Sequence, residues 1–161
     1  MRRLSFDRAT TLGLVALWQR PGTATSDTKI DLHVNPGELL ERVFSVWTPT
    51  NDLGAVHSSQ YTGYLWPTGP FFALLDWIGV SPWLAHRLWL GTLLALSAWG
   101  MLKLMDAFVG RPRGPAHLVA AAFYAFNPYT TVFSFRTTAI LLGYVALPWL
   151  LVIVRKVNTV V

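Results

Sequence analysis

The chain contains no cysteine. That removes a disulfide framework, a thiolate-ligated zinc or iron–sulfur site and a thiol nucleophile from consideration. Charge is scarce as well. Asp, Glu, Lys and Arg make up 13% of the 161 residues, where an ordinary globular domain has roughly 25%. Such a chain is neither a disordered segment nor a coiled coil, both of which need abundant charge. It shows no internal repeat and no low-complexity stretch. It has no phosphate-binding Walker loop, dinucleotide fingerprint or nucleophile elbow. His33, His57, His86 and His117 are scattered without metal-ligand spacing. No cofactor is identified, and a divalent metal near a phosphate is left open.

What is present is apolar and aromatic. Hydrophobic residues make up 53% of the chain and aromatics 14%, with eight tryptophans and a mean hydropathy of +0.41. A soluble domain of this length has too little interior to hide that surface, so the composition points to an all-α integral membrane protein. The net charge of +5 does not indicate nucleic acid, because the basic residues flank apolar runs instead of forming one basic face.

About 20 apolar residues cross a bilayer core. Residues 83–102 and 116–135 meet that length, and 138–154 carries no charge before Arg155-Lys156. Residues 4–19 are read as a shorter first span. A signal peptide is the competing reading there, since Arg2, Arg3 and Arg8 precede a short apolar core. His86 and Arg87 fall near one end of a span, where a long side chain can snorkel to the headgroups. Asn127-Pro128 marks a kink within 116–135, because proline removes a helix hydrogen bond.

Orientation follows from charge. With the N-terminus cytoplasmic, the inner side holds Arg2, Arg3, Arg8, Lys103, Arg111, Arg113, Arg155 and Lys156. The outer loop 20–81 holds only Arg20, Lys29 and Arg42, which is the positive-inside pattern. Residues 65–80 are apolar but contain Pro67, Pro70 and Asp76. Counting them as a span would invert the pattern, so residues 68–78 are expected to form a short helix in or dipping into the outer leaflet. Asn35-Pro36-Gly37-Glu38 reads as a helix start with a capping glutamate. Leu39, Leu40, Val43, Phe44, Val46 and Trp47 then share one face, as in an interfacial amphipathic helix.

Three features of the outer loop and its surroundings can carry chemistry. Asp27, Lys29 and Asp31 bring two carboxylates and an ammonium to the membrane surface. A partly desolvated carboxylate there is a stronger base, and Lys29 can hold a phosphate. The same residues also suit a solvated loop in which Asp27 caps a turn. Gln60, Tyr61, Tyr64 and Trp66 combine rings with hydroxyl and amide groups, a mixture that suits carbohydrate and equally an aromatic belt. Arg136, in the short outer turn 135–137, can grip a phosphate bidentately or rest on lipid headgroups.

The blocks D-T-K-x-D-L at 27–32, Asn35-Pro36, the run from Gln60 through Gly63-Tyr64-Leu65 to Gly69-Pro70-Phe71-Phe72, and Arg87-Leu88-Trp89 occur in order. Together they resemble the N-terminal membrane domain of actinobacterial alpha-(1→3)-arabinofuranosyltransferases, from about residue 21 to 154. That resemblance implies a GT-C-like multispan helical bundle of about four spans, with interfacial helices in its first outer loop. It implies transfer of arabinofuranose from decaprenyl-phosphate-arabinose to cell-wall arabinan, on the outer face of the plasma membrane. The implied partners are the lipid-linked donor, the arabinan acceptor and membrane lipids. Asp27 is then expected as the catalytic carboxylate, with Asp31 second. Lys29 and Arg136 are expected to contact phosphate, and Gln60, Tyr61, Tyr64 and Trp66 to line the groove. Members of that family are several times longer, so the 161 residues look like the N-terminal portion of a larger enzyme. Transfer of another sugar such as mannose, and a non-enzymatic scaffold or carrier, are the alternatives; span centres without ionisable residues weigh against a carrier.

Overall fold

The computed structural model of the chain describes residues 22, 31–43, 47–48, 54–56, 64–110, 112–134 and 136–158. The expected first span, 4–19, lies outside them. Among the described residues the architecture is helical, apart from one two-residue antiparallel pair. The chain divides into two compact units, Arg20–Trp89 and a helical unit that includes Leu90–Val161.

In the first unit, helix α1 spans Asp31–Val34 and α2 spans Pro36–Val43. The capping signal read from the sequence forms. Asn35 Oδ1 accepts the Glu38 backbone N–H at 3.2 Å, and Asn35 Nδ2 donates to Glu38 Oε2 at 2.8 Å. Phe44, Ser45 and Val46 lie outside the described residues, and Trp47 lies in a strand. Trp47–Thr48 (β1) pairs antiparallel with Ala55–Val56 (β2), Trp47 opposite Val56. Gly54 turns the chain at φ +102°, and the Trp47 ring occupies the space a Cβ would need there. Trp47 therefore closes a loop instead of continuing the amphipathic face.

A kinked turn at Tyr64–Thr68, containing a cis Trp66–Pro67 bond, leads into α3, Gly69–Trp77. This is the short helix expected over 68–78. Gly69 lets α2 and α3 approach: a Cβ there would sit 2.6 Å from Leu40 Cδ2 and 2.6 Å from the Tyr64 carbonyl oxygen. Leu39 is buried, so part of the apolar face of α2 is spent inside this unit. On α3, Leu74, Trp77 and Ile78 remain exposed. Their i, i+3, i+4 spacing makes one uncovered apolar stripe.

Helix α4, Pro82–Phe108, is 27 residues long. At 1.5 Å per residue that is about 40 Å, enough for a bilayer core of about 30 Å. The boundary between the two units falls within it. In the helical unit, α5 spans Pro115–Ala125, α6 Pro128–Ser134 and α7 Leu141–Asn158. Among the described residues, two helices are long and apolar enough to cross a membrane, Pro82–Phe108 and Thr138–Asn158. Ala98, Leu102, Ala121 and Ala125 form a small-residue core, with Trp99 against it. Small side chains are what lets apolar helices approach closely where burial from water gives no drive. Trp149 of α7 donates its indole N–H to the Leu96 carbonyl at 3.2 Å and meets Trp99 edge-on at 5.0 Å.

The expected kink at Asn127-Pro128 is a full break. α5 stops at Ala125 and α6 restarts at Pro128. Asn127 caps the restart, its Oδ1 accepting the Thr130 N–H at 3.1 Å. The carbonyls released at the end of α5 are recovered. Thr130 Oγ1 donates to the Ala125 oxygen at 2.9 Å, and the Tyr144 hydroxyl donates to the Tyr124 oxygen at 2.9 Å. The Tyr124 hydroxyl returns a bond to the Tyr144 oxygen at 2.8 Å, with the two rings stacked 4.2 Å apart.

The turn between α4 and α5 is held by charge. Arg113 donates from Nε and Nη2 to the two Asp106 carboxylate oxygens, at 2.7 and 2.6 Å. The Asp106 hydrogen bond raises the guanidinium above its ordinary range, so at neutral pH the arginine side of the pair is fully charged. The buried His117 accepts the Gly114 N–H on Nδ1 at 3.4 Å, and its Nε2 lies 3.0 Å from the Gly110 oxygen. The neutral Nε2–H tautomer satisfies both contacts.

Gly100 tests the α4–α7 contact. A Cβ at Gly100 would lie 2.6 Å from Trp149 Nε1, whereas Gly143 faces open space. Gly100→Ala should cost about 1–3 kcal/mol and lower Tm in detergent. Gly143→Ala should be neutral or stabilise by about 0.5–1 kcal/mol. Equal melting curves would refute this packing.

Candidate functional site

Four of the eight sequence-selected residues lie outside the described residues. Asp27, Lys29, Gln60 and Tyr61 are outside them, while Asp31 opens α1. The remaining three, Tyr64, Trp66 and Arg136, are all described.

Asp31 does not stand alone. Arg42, on α2, lies 3.7 Å from Asp31 Oδ2 and 3.2 Å from Glu38 Oε1. All three side chains are more than a third exposed, so screening limits the gain to at most about 1 kcal/mol. The arrangement nonetheless ties the start of α1 to α2 and engages the Asp31 carboxylate in a structural contact.

The next turn of α1 is anchored inward. His33 meets Phe72 of α3 at 5.3 Å between ring centroids and His86 of α4 at 5.3 Å, both edge-on. Phe71 and Phe72 lie 4.9 and 6.3 Å from Trp89. His86 is buried, and Arg87 is only 2% exposed. The Arg87 guanidinium carbon sits 5.2 Å from the Trp83 ring centre, one helical turn back. The expectation that these two residues snorkel to the headgroups is overturned: both turn into the unit. The reason is local, since Trp83 at i−4 offers a ring face to the guanidinium and His33 offers an edge to His86.

The aromatic block splits in two. Tyr64 is 4% exposed and belongs to the core, whereas Trp66 is 74% exposed. The kinked turn, with extended backbone at Trp66 (φ −147°, ψ 131°), leaves one ring buried and the other exposed. Trp66 is thus the described member of this block that can stack on a ligand, and Tyr64 supports the scaffold. Thr68, fully buried, has a hydroxyl with no partner among the described residues. Arg136 is exposed in the turn after α6, its N–H bonded to the Phe133 carbonyl at 3.3 Å. It belongs to the helical unit. No three His, Asp or Glu side chains among the described residues converge as a metal site.

Sequence reasoning passed over His33, Arg42, His86 and Arg87 as site-forming residues. The i, i+4 pair Trp83/Arg87 was the available signal for a buried guanidinium. No sequence pattern indicated that His33 and His86, 53 positions apart, would meet.

Against this geometry, the family model for alpha-(1→3)-arabinofuranosyltransferase, N-terminal GT-C domain, matches residues 11–159. The chain belongs to this family. A relative named alpha-(1→3)-arabinofuranosyltransferase from Mycolicibacterium smegmatis is 36% identical over 133 residues, covering 83% of this chain and 9% of the relative. One of the same name from Mycobacterium tuberculosis is 35% identical over 136 residues, again 83% and 9%. The cryo-EM structure of arabinofuranosyltransferase AftD from mycobacteria superposes with TM-score 0.87 at 29% identity, covering 96% of this chain and 12% of that one. A mutant of that enzyme gives TM-score 0.85 at 30% identity, covering 94% and 12%. The chain therefore spans about a tenth of the length of these relatives. The all-helical membrane fold of this GT-C family is the fold read from composition and span pattern.

The split of the aromatic block makes a direct prediction. Tyr64→Ala should cost about 3–5 kcal/mol, as for other buried aromatic truncations, while Trp66→Ala should leave Tm unchanged. Thermal denaturation in detergent distinguishes the two, and the reverse order of stabilities would refute the placement.

Proposed function

We propose that this chain forms part of a membrane arabinofuranosyltransferase that acts on the outer face of the plasma membrane. The donor is an arabinofuranosyl polyprenyl phosphate of the decaprenyl type, and the acceptor is a hydroxyl of cell-wall arabinan. The observation that carries this reading is the family match through residues 11–159, which takes in the acidic segment Asp27–Asp31 leading into α1. The loop 20–81 is external and the N-terminus cytoplasmic on the positive-inside pattern. Residues 4–19 and the broken pair α5–α6 complete the four spans.

In this reading Asp27 is the general base. Its carboxylate removes the proton from the acceptor hydroxyl as that oxygen attacks the anomeric carbon. The bond from that carbon to the phosphate oxygen breaks, and the polyprenyl phosphate leaves with the bonding pair. A cation near the departing phosphate lowers the barrier by stabilising charge that grows in the transition state. Lys29 and Arg136 are proposed for that contact. Asp31, engaged by Arg42, is the weaker choice for base. Gln60, Tyr61 and Trp66 are proposed to face the sugars, with Trp66 offering a ring face.

The test is arabinosyl transfer from lipid-linked donor in membranes containing the protein expressed from its own gene. Asp27→Asn should lower kcat by about 10²–10⁴-fold, the usual contribution of a general base. Asp31→Asn should lower it far less. Wild-type rates in the Asp27 variant would refute the assignment.

A further inference from the structure

Two polar side chains of the loop unit are closed off from water without a hydrogen bond. Thr68 is fully buried and Trp89 is 4% exposed. Among the described residues, neither the Thr68 hydroxyl nor the Trp89 indole N–H meets a partner. Buried groups of these kinds elsewhere in the chain return to the backbone. Ser97 donates to the Leu94 carbonyl at 2.9 Å, Ser134 to the Thr130 carbonyl at 2.6 Å, and the Trp149 indole to the Leu96 carbonyl at 3.2 Å. An indole N–H or hydroxyl left unmade in an interior carries its full desolvation cost.

The backbone explains why Thr68 differs. A helical hydroxyl folds back on a carbonyl one turn earlier, and the turn before Thr68 is broken by the extended residue Trp66. Thr68 itself has helical angles (φ −63°, ψ −52°) and makes no side-chain cap to α3, whereas a capping threonine is extended. Spacing and ring contacts then bring the two orphaned groups to one place. Phe71 and Phe72 follow Thr68 by three and four positions, the separation at which helical side chains are neighbours. Both rings lie against Trp89, at 4.9 and 6.3 Å between centroids. His33 meets the Phe72 ring at 5.3 Å.

We propose that Thr68 and Trp89 bind one internal water between them, which links the start of α3 to α4. The chemistry of the two groups is complementary to it. An indole N–H only donates, and a hydroxyl donates and accepts. A water accepts the indole proton and makes its second bond with the Thr68 oxygen in either sense. Polar groups that do not bond directly are bridged in this way, and two polar partners are the fewest that hold a buried water. A sugar or a lipid phosphate does not suit the place, because both residues are shut off from solvent; a water enclosed as the unit folds does. The site is separate from the residues proposed to face the sugars, and it stands independently of the transfer reaction.

Two measurements on the protein produced from its own gene test the site. The first is a double-mutant cycle read as Tm in detergent. Thr68→Val keeps the shape and removes the hydroxyl, and Trp89→Phe removes the N–H. Each single substitution leaves the water and the remaining group short of a bond, whereas the double variant removes both polar groups. The double variant should therefore lose less Tm than the sum of the singles. Thr68→Ser keeps the hydroxyl and drops the methyl group, so its loss should add to that of Trp89→Phe. Additive losses with Thr68→Val, or the same coupling with Thr68→Ser, overturn the proposal. The second measurement is a cryo-EM map that resolves ordered water, and it decides the matter where a variant does not fold. A peak within about 2.7–3.2 Å of both Thr68 Oγ1 and Trp89 Nε1 is expected. A direct bond between the two side chains, or no peak at that point in a map that shows water elsewhere, also overturns the proposal.

Discussion

A polar group closed off from water must find its partner within the protein, and most of the irregular features of this chain answer to that constraint. The clearest case is the interruption between α5 and α6. A helix that stops inside an apolar stretch exposes carbonyls that lipid cannot satisfy. Here the Thr130 hydroxyl takes the Ala125 oxygen and the Tyr144 hydroxyl takes the Tyr124 oxygen. Asn127 caps the next helix. The break is tolerated because three side chains supply what the missing helical turn would have supplied.

The same constraint shapes both ends of α4. At its C-terminal end, Asp106 and Arg113 of the following turn neutralise each other through two short hydrogen bonds, and His117 bridges the turn through both ring nitrogens. At its start, His86 and Arg87 are drawn inward by ring contacts with His33 and Trp83. One helix thus carries a polar turn that is closed internally and a buried cation packed on a ring. The first stabilises a connection. The second seats the start of α4 against the ring of Trp83.

The loop unit separates scaffold from working surface among residues that look alike in sequence. Tyr64, Phe72 and Leu39 are buried, while Trp66, Leu74, Trp77 and Ile78 are exposed. The buried set holds α2, α3 and the start of α4 together. The exposed stripe on α3 is apolar, and four residues separate the end of α3 from Pro82, where a membrane-length helix begins.

Much of this was legible in the residues. Low charge and long apolar runs determined an all-α membrane protein, because twenty apolar residues have few other stable environments. Asn35-Pro36-Gly37-Glu38 determined the start of α2, since a cap is a local interaction among four neighbours. Asn127-Pro128 determined where a span would be interrupted, since proline cannot donate the helical bond. The ordered blocks around Asp27, Tyr64 and Arg87 carried the family. Tertiary structure alone decided that Trp47 folds back onto Gly54 instead of extending α2, that Tyr64 and Trp66 part company, and that Arg87 turns inward. It alone joined His33 to His86 and assigned Asp31 to Arg42. Those outcomes depend on which surfaces meet, from 7 positions apart for Trp47 and Gly54 to 53 for His33 and His86, and the energy of such a contact is written in no local pattern. Periodicity states that a side chain has an apolar or polar face; only the packed neighbours settle whether that face meets lipid, substrate or the protein itself.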